Sequence, residues 1–188
     1  MRNNLIIIIL LLQSIVLLGQ EEDNLFFLET DSTWKKEIFI FPVRFAPEIH
    51  YEGIEDARFP EGWSKKESPY FWSYAFAWNI SLTEELTEKE LEDDLKIYFN
   101  GLMSKQNTTV KFVKRDDEND TSIYLGKVHT FDSFFTKKPM TLNVKAESFY
   151  CEKSKKTVIL FRFSPQEFEN IVWGKLEDVK VSANICDL

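Results

Sequence analysis

The sequence predicts an α+β fold, one antiparallel β-sheet of about five to six strands with two helices packed on it. Three observations carry this prediction. Tyr70, Trp72, Tyr74, Phe76, Trp78 and Ile80 recur at every second position, with Phe71, Ser73, Ala75, Ala77 and Asn79 between them, which is the alternation of a β-strand. Thr87-Glu88-Lys89-Glu90 fits a capping box, and Leu91, Leu95, Tyr98, Phe99 and Leu102 follow at helical spacing. Four strand-like stretches then come in succession with short connections, and short connections between strands mean antiparallel hairpins.

The elements follow in chain order. Met1 to Asn4 carry Arg2 and the amino terminus, Leu5 to Leu12 are unbroken Leu and Ile, and Ile15 to Leu18 resume the run before Gly19 and an acidic stretch. A basic start, a short apolar run and a small residue read as a secretory signal peptide over residues 1–19, cut after Gly19. The alternative is a membrane anchor, but a span needs about 20 apolar residues. Leu5 to Leu18 is interrupted by Gln13 and Ser14. Leu17-Leu18-Gly19 resembles the run before a lipidated cysteine, yet Gln20 follows it and offers no thiol. The expectation is therefore a secreted or periplasmic protein with no stable membrane insertion after cleavage.

Residues 20–33 read as an acidic tether around one apolar knot, Leu25-Phe26-Phe27-Leu28, and residues 34–188 as a single domain. Trp34 to Val43 holds a short apolar run ended by Pro42, a strand. Arg44 to Ser68 is punctuated by Pro47, Gly53, Pro60 and Gly62 and shows no period. Loops this long are usually functional or disordered. Phe45, Ile49, Tyr51, Ile54, Phe59 and Trp63 give it too much apolar surface for disorder, so the expectation is an ordered loop packed against the sheet with its polar residues facing outward.

The strand Tyr70 to Ile80 has one aromatic face and one small face, and the small face lets a helix approach closely. The helix Thr87 to Ser104 carries acidic residues in its first half, where the helix dipole favours them. Strands follow at Thr109 to Arg115, Thr121 to Phe131, Met140 to Glu152 and Thr157 to Phe163. Ser164 reads as the N-cap of a second helix with Pro165 in its first turn and Phe168, Val172, Leu176 and Val179 on its buried face. Val181 to Leu188 ends the chain as a short strand.

From Phe71 onward the order is strand (to Ile80), helix (Thr87 to Ser104), strands (Val110 to Phe163) and a closing helix (Pro165 to Lys180), with Ser122-Ile-Tyr-Leu-Gly126 in the middle section. This order and spacing, over about two thirds of the chain, is similar to the PsbP-like fold. The loop Arg44 to Ser68 has no counterpart in it. The resemblance implies an accessory or binding role rather than an enzyme.

Composition narrows the function further. A chain that is 44% apolar and 29% charged with 6 Gly and 6 Pro is not collagen, a disordered tail or a multi-pass membrane protein. With 23 basic against 31 acidic residues it lacks the cationic surface that nucleic acid requires. Cys151 and Cys186 are the two cysteines, and an exported chain pairs them.

His50 stands among Glu48, Glu52, Glu55, Asp56 and Arg58, but no HExxH or short His spacing marks a metal site. The reading is a solvated loop with internal salt bridges. His129, Asp132 and Ser133 invite a catalytic triad, yet there is no GxSxG and the spacing alone does not give the geometry. Asp116 to Asp120 fails as an EF-hand, since Thr121 and Lys127 stand where Gly and Glu are needed, and reads as a hairpin turn. Sequons occur at Asn79, Asn107 and Asn119.

The aromatic content, 5 Trp, 6 Tyr and 17 Phe, is the most suggestive feature, with Trp63, Tyr70 and Trp72 bordering the long loop. The function expected is that of an exported, non-catalytic binding or accessory domain without cofactor or metal. It would bind a small ligand or an envelope protein through His50, Glu52, Asp56, Arg58 and Trp63. The alternatives are a structural partner in an envelope complex, or a hydrolase using carboxylates of the 44–68 loop.

Overall fold

The computed structural model describes residues 25–82, 86–115 and 121–187. The expected signal peptide, the first residues of the expected tether, the expected turn at Asp116 to Asp120 and the Asn119 sequon lie outside the described residues. The strands are β1 (Leu28–Glu29), β2 (Lys35–Ile40), β3 (Gly53–Phe59), β4 (Tyr74–Ile80), β5 (Thr109–Arg115), β6 (Ser122–Phe131), β7 (Pro139–Cys151), β8 (Lys156–Ser164) and β9 (Lys180–Val181). The helices are α1 (Glu88–Met103) and α2 (Val172–Glu177), and a 3-10 turn, Ile185–Asp187, follows β9. β2 to β8 form one antiparallel sheet in the order β2-β3-β4-β8-β7-β6-β5, and β1 pairs with β9 apart from it. The fold is α+β as the pattern predicts, but the main sheet has seven strands, because the expected loop contributes β3.

α1 forms where the capping box places it. Thr87 Oγ1 accepts from the Glu90 amide, and the Glu90 carboxylate accepts from the Thr87 amide at 2.8 Å. Leu91, Leu95, Tyr98, Phe99 and Met103 are buried on its inner face. Glu92 of α1 accepts from the Phe112 amide at 3.0 Å, and Glu88 from the Lys114 amide. Those amides belong to β5, the last strand of the sheet, so the helix satisfies edge donors that would otherwise template another chain.

Every residue of β4 is buried, because both faces of the sheet are covered. Tyr74, Phe76, Trp78 and Ile80 join the core under α1, while Ala75 and Ala77 join a second core with Trp34, Val172, Trp173 and Leu176. The small face does admit a helix, α2, so the two helices lie on opposite faces of the sheet. The strand is shorter than the alternation suggests, since Trp72 has φ 56° and ends a turn in which its amide donates to the Trp63 carbonyl at 2.8 Å.

The structure corrects three other boundaries. The supposed tether enters the fold at Phe27 and Leu28, which are buried in the second core. The second helix does not start at Ser164, which ends β8. Residues 165–171 turn instead, and Val172 donates its amide to Asn170 Oδ1 at 3.0 Å. Arg162, buried in β8, holds the short α2 by donating to the Leu176 and Val179 carbonyls, each at 2.9 Å. The terminal strand is only β9, and Cys186 beyond it is bonded to Cys151, with Cα atoms 5.0 Å apart. Among the described residues no helix is long and apolar enough to cross a membrane. The disulfide suits an oxidising compartment, outside the cell or in a periplasm.

Candidate functional site

β3 explains why residues 44–68 do not read as a strand. Its sequence is Gly-Ile-Glu-Asp-Ala-Arg-Phe, and Glu55, Asp56 and Arg58 are fully buried. Charges are rarely buried without partners. Here each has them, and alternation along the strand sends them to opposite faces. The expectation that Asp56 and Arg58 face outward is therefore corrected.

On the face under β1, Asp56 Oδ2 accepts the amides of Phe27 and Leu28 at 2.8 Å each. The Arg58 guanidinium pairs with both oxygens of Asp56 and donates to the Leu28 carbonyl at 2.7 Å. The Phe26 ring lies 5.0 Å from it. This pair fastens the amino-terminal segment to the sheet. On the other face, Glu55 accepts from Trp78 Nε1 at 2.9 Å and from the Tyr98 hydroxyl at 2.8 Å. Burial raises its carboxyl above the ordinary range, the two donors partly oppose this, and the nearby Glu37 adds to it, leaving Glu55 at about 7.

Glu55 lies in the lining of an apolar cavity of about 150 Å³. The sheet supplies Glu37, Phe39, Ala57, Phe59, Tyr74 and Phe76, and α1 supplies Tyr98 and Leu102. Three irregular segments close it, with Phe45 before β3, Trp63 and Trp72 from the turn after β3, and Phe134 and Phe135 from the β6–β7 loop. Gly101 lets α1 meet the first of these, for a Cβ there would strike the Phe45 carbonyl.

The walls interlock through their rings. Trp63 lies 4.6 Å from Phe59 and 5.7 Å from Phe135, and Trp72 lies 5.3 Å from Phe135. The Tyr74 hydroxyl and Trp72 Nε1 are buried without a hydrogen-bond partner. Burial, followed by the charge of Glu55, also pushes the Tyr74 phenol up. Both Tyr74 and Trp72 belong to the lining of the cavity.

The β6–β7 loop is held by Asp132. Its carboxylate accepts the amides of Phe134 and Phe135 at 2.9 Å and the amide and hydroxyl of Thr136 at 2.7 Å. Burial alone would raise Asp132, but these donors overcome it and hold the carboxyl at about 2. Asp132 is thus occupied within its loop, while His129 is exposed and shares a 2.8 Å hydrogen bond with Thr141, so the triad geometry is absent.

Of the residues expected at a site, Trp63 borders the cavity, Asp56 and Arg58 lie on the opposite face of β3, and His50 and Glu52 are exposed before it. Glu52, Glu55 and Asp56 enter three different surroundings, and no metal-holding cluster of His, Cys, Asp and Glu occurs among the described residues. Asn79 is buried in β4 and Asn107 is exposed. The sequence reading missed Glu55, Tyr74, Phe134 and Phe135 as a group. The available signals were an acidic residue at alternate spacing from Ala57 and Phe59, and an aromatic pair beside a loop-capping aspartate. Comparison of the chain with protein-family models, with curated proteins and with solved structures gave no match.

Proposed function

We propose that the protein is an exported, non-catalytic binding domain that takes one small, mainly apolar molecule into the aromatic cavity above β3. The observation that carries this reading is the apolar, ring-lined cavity itself, with Glu55, Trp72 and Tyr74 as the polar-bearing residues of its lining. A well-formed apolar pocket with a few convergent polar groups is the usual form of a small-molecule site. A space near 150 Å³ suits a molecule of about benzene's size. The order of elements keeps an accessory role of the PsbP-like kind within the proposal, and the disulfide fits the exported setting.

The test is titration of the disulfide-intact chain with phenol and with toluene, followed by tryptophan fluorescence and amide chemical shifts. Saturable shifts are expected at Trp63, Trp72, Tyr74 and Phe135. Ala57→Leu, which adds atoms to the cavity wall, should weaken binding at least tenfold while the fold persists. Shifts scattered over the surface, or binding indifferent to Ala57→Leu, would remove the cavity as the site.

A further inference from the structure

The cavity has a charge character as well as a size. Its ionisable acids are Glu37 and Glu55, and no lysine, arginine or histidine lines it. The faces of aromatic rings are electronegative, so a ring-lined space with carboxyl groups attracts a cation and repels an anion. The protein already places one ammonium at this rim, for Lys35 Nζ lies 6.0 Å from the centre of the Phe59 ring and pairs with Glu37 at 2.5 Å. The same ring and the same acid line the cavity.

Resting on the cavity as a binding site, we propose that its ligand is a small organic cation, an amine or quaternary ammonium, seated on the ring faces with the Glu55 carboxylate as its counter-charge.

The charge state of Glu55 makes recognition depend on pH. The titratable groups acting on it are Glu37 from β2, Tyr74 from β4 and Tyr98 from α1, and none is a cation. The ligand's charge therefore favours the carboxylate, and binding releases a proton at acid pH. Affinity should fall up to about tenfold for each pH unit below about 7.

The experiment is calorimetric titration of the disulfide-intact chain with choline and with its neutral isostere 3,3-dimethylbutan-1-ol, at pH 5.5 and pH 8. Choline should bind at least tenfold more tightly than the alcohol at pH 8 and lose most of that advantage at pH 5.5. Glu55→Gln should remove the pH dependence and weaken choline at least tenfold at pH 8, while leaving the alcohol within about threefold. The comparison of the two ligands on the unaltered chain needs no variant and holds even where Glu55→Gln fails to fold. If the alcohol or phenol binds as well as choline at pH 8, the cation proposal is overturned and the cavity reading stands. If choline, the alcohol, phenol and toluene all fail to bind, both are overturned.

Discussion

Arg58→Met tests whether the buried pair on the far face of β3 is an anchor and not a site. The methionine keeps most of the side-chain volume but removes the charge, leaving Asp56 fully buried beside Phe27 and Leu28. Breaking one partner out of a buried ion pair costs about 3–5 kcal/mol, because the remaining charge has no counter-ion. For a domain of this size each kcal/mol shifts melting by about 2–4 °C, so the loss should be roughly 6–20 °C. A second variant separates charge from contact. In Asp56→Asn/Arg58→Met the amide oxygen still accepts the two backbone amides, and nothing charged is left behind. This double variant should recover about 2–3 kcal/mol and fall short of the original chain by the lost hydrogen bond to the Leu28 carbonyl, worth about 1–2 kcal/mol. Thermal denaturation followed by near-ultraviolet circular dichroism measures all three, and amide exchange at Phe27 and Leu28 reports the segment directly. Binding in the cavity should be unchanged in the folded single variant. A loss below 1 kcal/mol, or a double variant no more stable than the single one, would refute the reasoning.

Other outcomes follow from the same contacts. Glu55 has its folded pKa raised to about 7, so its contribution to stability is whole below the unfolded value near 4.5 and is lost as pH rises through 7. Denaturant unfolding should show that decline, of about 3 kcal/mol, and Glu55→Gln should abolish it. Cys151 and Cys186 close a separation of 35 residues, so Cys151→Ser/Cys186→Ser should cost about 3–4 kcal/mol in the same assay, and alkylation without reduction should add no mass to the original chain. Asp132→Ala should release the Phe134 and Phe135 amides, raise exchange across the β6–β7 loop and weaken phenol binding several-fold; unchanged exchange there would show that the carboxylate does not hold the loop.

What the sequence makes legible follows from which physical signals are local. The capping box of α1 and the aromatic alternation of β4 are written in neighbouring residues; the helix begins where the box puts it, and the strand covers the Tyr74 to Ile80 part of the alternation. The disulfide is legible from redox chemistry, since two cysteines in a chain expected to be exported are expected to pair. β3 is not legible, because Glu55, Asp56 and Arg58 look like a solvated loop until Trp78, Tyr98 and the Phe27–Leu28 backbone are known to meet them. The same holds for the tether, where Phe27 and Leu28 of the apolar knot are core residues whose amides Asp56 binds. The second helix fails for a related reason. Ser164 and Pro165 carry good start signals, yet Ser164 pairs with Asn143 as the end of β8, and the sheet register overrides the local preference. The cavity is the least legible feature, since its walls come from β2, β3, β4, α1 and three loops that only the fold brings together.

The two faces of β3 show why a strand so rich in charge is tolerated inside the sheet, between the edge strand β2 and β4. Asp56 and Arg58 neutralise one another and satisfy three backbone groups of Phe27 and Leu28, so their face is electrostatically closed. Glu55 has two hydrogen-bond donors but no cation, so its face is open. Burying a carboxyl that way costs stability whenever it ionises, and a leucine there would remove the cost. A strand that closes its charges on one side and leaves one open on the other, inside a ring-lined cavity, is consistent with an incoming group completing the second set. The cost falls when that group is a cation, which is the physical link between the instability expected of Glu55 above pH 7 and the recognition proposed for it.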